Sequence, residues 1–218
     1  MYFYILYLTH LKSFLTYRGV GSDFTTEGTV DYDDSYGGVL HLNSGRIYRD
    51  QLGWYGKMAI SWWMKYDGAV NANAFYTENH RTLSGCYRIS SYLQSDGKFA
   101  FRVWDNSSHS AGLGGTRTAI TTTDVCDGEW HHVTCQWSNG TGNQPRGMYV
   151  YVNGQQEGYI DAVGNDGGYQ HWHLGGSYGC VGDNTHNCYL GPVMFYKNYN
   201  LTDAEVLQNY NAHKARFK

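Results

Sequence analysis

The chain reads as an all-β protein, a two-sheet antiparallel sandwich with one short C-terminal helix. Three observations predict this. The 218 residues include 28 glycines, 21 tyrosines and 7 tryptophans against 2 prolines, the balance of short strands and tight turns in which glycine supplies positive φ. Period-two apolar alternation recurs from Gly37 onward, with no helical pattern between the segments, which argues against βαβ units. The length suits one sandwich core, and no repeat of 20 to 50 residues divides it.

Residues 1–30 differ from the rest and are read as an N-terminal arm, with 31–218 as the sandwich domain. Met1 to Leu8 is aromatic with period two, placing Tyr2, Tyr4, Leu6 and Leu8 on one face, and Gly19 to Asp34 is polar. The first run is too short to span a bilayer, which needs about 20 apolar residues, and lacks the basic region and cleavage site of a secretory signal. A strand so rich in Tyr and Leu must be covered, by this domain or by a neighbouring chain, and the neighbour is slightly preferred.

The strands that follow are expected near Val39–Leu42, Met58–Lys65, Cys86–Leu93, Lys98–Trp104, Trp130–Trp137, Met148–Val152, His171–Leu174 and Tyr189–Tyr196. Turn signals separate them at Asp67-Gly68, Asp96-Gly97, Asn139-Gly140 and Asn153-Gly154, the last two suited to hairpins. At the C-terminus Thr202 and Glu205 form a capping box, with Leu201 and Val206 at the staple positions. The helix is expected from Asp203 to Ala212, with Val206 and Tyr210 sealing it onto the sandwich.

A net charge of −3 from 16 basic and 19 acidic residues gives no basic cluster for nucleic acid. The five cysteines are an odd number, so at least one thiol is free unless chains are cross-linked. Cys180 and Cys188 bracket a polar loop and are the preferred disulfide pair; Cys126 with Cys135 is the weaker one. The alternative leaves all five reduced and mostly buried as small hydrophobes.

Five segments in order carry a family resemblance: Met58–Lys65 with its central Trp, Gly128-Glu129-Trp130-His131-His132-Val133, Met148–Gly154, Leu174-Gly175-Gly176, and Leu190–Tyr196 leading into Leu201–Glu205. Together they resemble the laminin G-like domains of the concanavalin A-like lectin/glucanase superfamily over residues 37–213. The resemblance implies a jelly-roll sandwich. The ending Leu201–Asn211, followed by Lys214–Phe217, is similar to endings of such domains in structural proteins of phages and large viruses. That similarity implies a non-enzymatic virion surface protein (decoration, fibre or tail component). Its partners would be other virion proteins or copies of itself through the arm, together with host glycans. The alternative is a free, extracellular carbohydrate-binding lectin-like module, with calcium as an optional ligand.

The same superfamily contains endoglucanases, which present paired carboxylates on alternate residues of one strand. No such run exists here; Asp31-Tyr32-Asp33-Asp34 is the nearest and reads as a turn. Neither a Gly-x-Ser-x-Gly elbow nor a phosphate-cradling loop is found. His131 and His132 are adjacent on a strand and face opposite ways, so they are read as structural; His171 and His173 share a face but lack an identifiable third ligand. Calcium, a hard ion that takes oxygen ligands, would be sought at Asp183 and Asn184 and in the loop from Asp161 to Asp166. Carbohydrate sites need an aromatic face beside directional polar groups, which selects Trp104, Asp105 and Asn106, and Trp172 with Tyr178. In each case ordinary core filling and turn chemistry compete with binding. Asn106, Asn139 and Asn200 open glycosylation sequons.

Overall fold

The computed structural model describes residues 3–7, 16–17, 25–50, 57–66, 74–79, 87–105, 115–141, 143–161, 171–177 and 184–218. Among the described residues fifteen strands run in chain order: β1 (Phe3–Tyr7), β2 (Thr16–Tyr17), β3 (Thr25–Asp33), β4 (Val39–Asp50), β5 (Lys57–Tyr66), β6 (Ala74–Asn79), β7 (Tyr87–Leu93), β8 (Lys98–Asp105), β9 (Gly115–Asp124), β10 (Trp130–Ser138), β11 (Gly147–Val152), β12 (Gln155–Ile160), β13 (His171–Leu174), β14 (Gly176–Ser177) and β15 (Asn184–Lys197). One helix, α1 (Asp203–Lys214), follows. All pairings are antiparallel along the order β12-β11-β10-β5-β15-β4-β13-β6-β7-β8-β9. This is the jelly-roll sandwich expected from the sequence. The path folds into two layers, β12 to β4 and β13 to β9.

The core lies between the layers because alternate residues of each strand turn inward. Trp62 and Met64 of β5, Val133, Cys135 and Trp137 of β10, and Leu190 of β15 meet Leu93, Phe99, Phe101 and Ala119 from the other layer. Trp62 and Phe99 touch edge to face at 5.6 Å across the gap. One side of the sandwich is fastened by Glu157 of β12. Its carboxylate accepts bonds from the Thr122 and Thr123 amides at 2.8 and 2.9 Å and from both threonine hydroxyls at 3.1 and 2.6 Å on β9. Burial raises the pKa of Glu157, but the bonds from Thr123 and Thr122 outweigh it and leave the group below its ordinary value.

The Asn153-Gly154 turn joins β11 and β12 with φ of 51° and 84°, the left-handed pair that a two-residue hairpin requires. Thr202 caps α1 as expected: its side chain accepts from the Glu205 amide, and Glu205 accepts from the Thr202 amide. Leu201 and Val206, 1% and 0% exposed, seal the helix against Tyr149, Tyr151 and Tyr196. The helix ends at Lys214, two residues beyond the expected end.

Three expectations change. The boundary drawn after residue 30 runs through β3, which pairs along β4 from Thr25 to Asp33. β1 pairs with residues 193–196 of β15 in its own chain, so that strand is covered by this domain rather than by a neighbour. Cys188 is a free, fully buried thiol facing the core, which corrects the expected bridge to Cys180, itself outside the described residues. Cys126 and Cys135 are free as well, so the weaker pair is not formed. Burial pushes the Cys126 thiol up to about 12 and Cys135 well above its ordinary value, which makes both poor nucleophiles.

Candidate binding face

The two layers present very different outward faces. On the first, α1 and the segment after it lie against β5, β10, β11 and β15. Gln136, Tyr151 and Asn200 tie that face to the segment that covers it. Gln136 donates to the Leu201 carbonyl at 3.2 Å and accepts from its amide at 2.6 Å. Tyr151 donates to Asp203 at 2.9 Å, and Asn200 donates to the carbonyls of Met58 and Trp137 at 3.2 and 2.7 Å. Asn200 is 1% exposed, so its sequon is a structural joint rather than an acceptor site. Asn139 accepts from Thr141 in an exposed turn, and Asn106 lies outside the described residues.

On the second layer Phe99 and Phe101 face the core, so Ala100 and Arg102 face outward, joined by Ser90 and Tyr92 of β7 and by Thr118 and Ile120 of β9. Ser90 and Ala100 are buried small residues and form a floor. Above it the Arg102 guanidinium stands 4.1 Å from the Tyr92 ring centroid and donates to the Tyr92 hydroxyl. Thr118 lies opposite Arg102, and Ile120 is 40% exposed. The face thus combines an aromatic ring, a fixed cation and an apolar edge, a set suited to holding a polyhydroxylated ring.

Trp104 and Asp105 end β8, opposite Thr116 and Gly115, two and three positions beyond Arg102. The backbone places Trp172 on β13 and Trp104 on β8, three strands apart along the sheet order. Asn106, Tyr178 and Asp183 lie outside the described residues, and Asn184 opens β15 opposite Ser177. Tyr92, Arg102 and Ile120 were not singled out from the sequence. The hairpin signal at Asp96-Gly97 sets Tyr92 and Arg102 on neighbouring strands and is the clue that points to them.

The histidines serve structure. His131 bonds Asp127 at 3.0 Å and Asn153 at 3.2 Å, and His132 bonds Ser61 at 2.6 Å. Burial, helped by the nearby His213, pushes His132 down to about 3. His173 is buried and stacks on Tyr48 at 5.5 Å. Among the described residues no three His, Cys, Asp or Glu side chains group as metal ligands, and no helix is long and apolar enough to cross a membrane. Asp31 and Asp33 lie in β3 rather than in a turn, and Asp33, the last residue of the strand, accepts from the Ser35 amide at 2.7 Å.

A family model described as the concanavalin A-like lectin/glucanases superfamily, of laminin G type, matches residues 43–207. A search of curated proteins gives no match. Among solved structures, botulinum neurotoxin type C, whose cell entry is dependent upon interaction with two ganglioside molecules, aligns at TM-score 0.70 and 15% identity over 96% of this chain and 51% of that one. Domain 4 of AbnA, a GH43 extracellular arabinanase from Geobacillus stearothermophilus, in complex with arabinotriose, aligns at 0.67 and 19% over 85% and 87%. The binding domain of Paraclostridial Mosquitocidal Protein 1 aligns at 0.64 and 16% over 91% and 50%. The chain spans about half the length of the two toxin chains, and at these identities the likeness is one of fold. The family match covers most of the molecule, from within β4 into α1, and the chain belongs to the concanavalin A-like lectin/glucanases superfamily.

Proposed function

We propose that the protein is a non-catalytic, lectin-like module that binds carbohydrate on the outward face of its second layer, around Tyr92 and Arg102. The observation that carries this reading is the contrast between the layers: α1 covers one outward face, while the other displays an aromatic ring, a cation and an exposed Ile120 over a floor of small residues. The likeness to Domain 4 of AbnA, whose structure is in complex with arabinotriose, supports it. Asp33, Asp127 and Glu157 do structural work in their turn and strand contacts.

A glycan array probed with the intact chain and with Arg102→Ala is the experiment. The expected result is recognition of a defined glycan class that Arg102→Ala weakens about tenfold or more, at unchanged melting temperature. Recognition indifferent to Arg102, or none, defeats the reading. Repeating the binding with a chelator tests whether calcium, held near Asp183 and Asn184, assists. Incubation with the recognised polysaccharide should release no new reducing ends.

A virion-surface setting draws its support from the ending Leu201–Asn211. Assembly through β1 then requires that strand to leave β15 of its own chain for β15 of another. Light scattering of the intact chain beside a variant lacking residues 1–24 tests this. Oligomers formed only by the intact chain favour assembly, and two monomers favour the free lectin.

A further inference from the structure

The covered face holds a feature that the lectin reading does not use. After α1 the chain inserts Phe217, 5% exposed, among Trp63 of β5, Trp130 of β10 and Tyr36 in the turn before β4. The Phe217 ring stacks on Trp63 at 4.7 Å and on Tyr36 at 6.3 Å, and meets Trp130 at 4.5 Å. Gly191 lies beneath it; a Cβ there would come within 2.7 Å of the Phe217 ring and 2.8 Å of Trp63. Arg216 fastens the segment by donating to the carbonyls of Tyr36 and Gly38. Tyr36 is 40% exposed and stands at the rim.

This slot is equipped for more than a phenyl ring. The indole N–H groups of Trp63 and Trp130 are buried without a hydrogen-bond partner, as is Nδ1 of His132, whose ring lies 5.3 Å from Trp63. Folded proteins rarely leave such groups unpaired, and a phenyl ring offers them no acceptor. Two indole rings that contact Phe217 at 4.7 and 4.5 Å, each carrying an unpaired N–H, match a pyranose: its C–H face stacks and its hydroxyl oxygens accept.

We propose that the slot is a second, latched carbohydrate site for a neutral hexopyranose, which Phe217 occupies in its place until residues 215–218 swing away. The latch lowers the apparent affinity by the fraction of molecules that are open. Removing the plug therefore raises affinity without adding a contact. The proposal is independent of the Tyr92 and Arg102 face, and the variants below also carry Arg102→Ala so that binding there cannot be mistaken for it.

The test titrates the methyl glycosides of glucose, galactose and mannose into the otherwise intact chain and into Phe217→Ala and Arg216→Ala, following tryptophan fluorescence and calorimetry. Phe217→Ala is expected to bind at least one glycoside about tenfold or more tighter than the plugged chain, with Arg216→Ala between them. Adding Trp63→Phe, which keeps a ring but removes the donor, should return most of that gain. A folded Phe217→Ala that binds none of the glycosides, or no better than the plugged chain, overturns the proposal. If Phe217→Ala does not fold, Arg216→Ala decides alone, and an affinity equal to that of the plugged chain overturns it.

Discussion

The outward faces of the two layers obey the same period-two rule, yet one is an interior and the other a surface. Beneath α1 the face is built from Trp63, His132, Gln136, Tyr149, Tyr151 and Tyr196, all buried, and the Gln136 amide and the Tyr151 hydroxyl meet the backbone of Leu201 and the carboxylate of Asp203 at the start of the covering segment. On β7, β8 and β9 the outward residues Tyr92, Arg102 and Thr118 are half-exposed, and the Arg102 and Tyr92 contact is made within the face itself. A polar group whose geometry fits a neighbouring backbone marks a covered face. A polar group that is satisfied sideways leaves its face free for a ligand.

Substitutions can break this comparison in graded steps. The largest effect should come from the core that both faces share: Trp62→Ala removes the ring meeting Phe99 and should cost about 3–5 kcal/mol in urea unfolding. Asn200→Ala acts on the covered face alone. It removes the bonds that Asn200 donates to the carbonyls of Met58 and Trp137 and should cost about 2–3 kcal/mol by the same measurement.

Acid should expose the covered face next. His132 is held down to about 3 by burial, below its unfolded value of about 6.5. With the folded pKa depressed, the unfolded chain takes up the proton first. The neutral ring's contribution is complete above pH about 6.5 and falls by up to about 1.4 kcal/mol per pH unit as the pH drops toward 3. Melting temperature followed from pH 7 to 5 should decline, and His132→Gln should flatten that part of the decline. Thr202→Ala removes the α1 cap and should cost about 1 kcal/mol. The smallest effect on stability is Arg102→Ala, within about 1 kcal/mol, although it should be the most damaging to glycan binding.

The strands legible in the sequence were those with a continuous apolar signal. Trp130–Ser138 and Met148–Val152 are buried at every position, and Met58–Lys65 is nearly so. Among the segments that escaped notice, β3, β9 and β12 carry little of it. Thr25–Asp33 is an edge strand exposed at most positions. Gly115–Asp124 is rich in threonine and is held by a carboxylate more than thirty residues away. Such strands are specified by their pairing partners, which a single-sequence pattern does not reveal. The capping box made α1 readable from Thr202 and Glu205 alone. For the candidate site, β8 was half legible: Trp104 and Asp105 at its end were singled out, whereas Arg102 gains meaning only once β7 places Tyr92 beside it. The expected disulfide failed for a related reason, since the alternation that turns Leu190 inward also turns Cys188 into the core.

The most direct test of the account is amide chemical-shift mapping of the intact chain as the glycan selected on the array is added. Shifts confined to β7, β8 and β9 around Tyr92 and Arg102 are the predicted result. Shifts centred on α1, Trp63 and Trp130 with β7 to β9 unmoved would contradict it and transfer the binding function to the covered face.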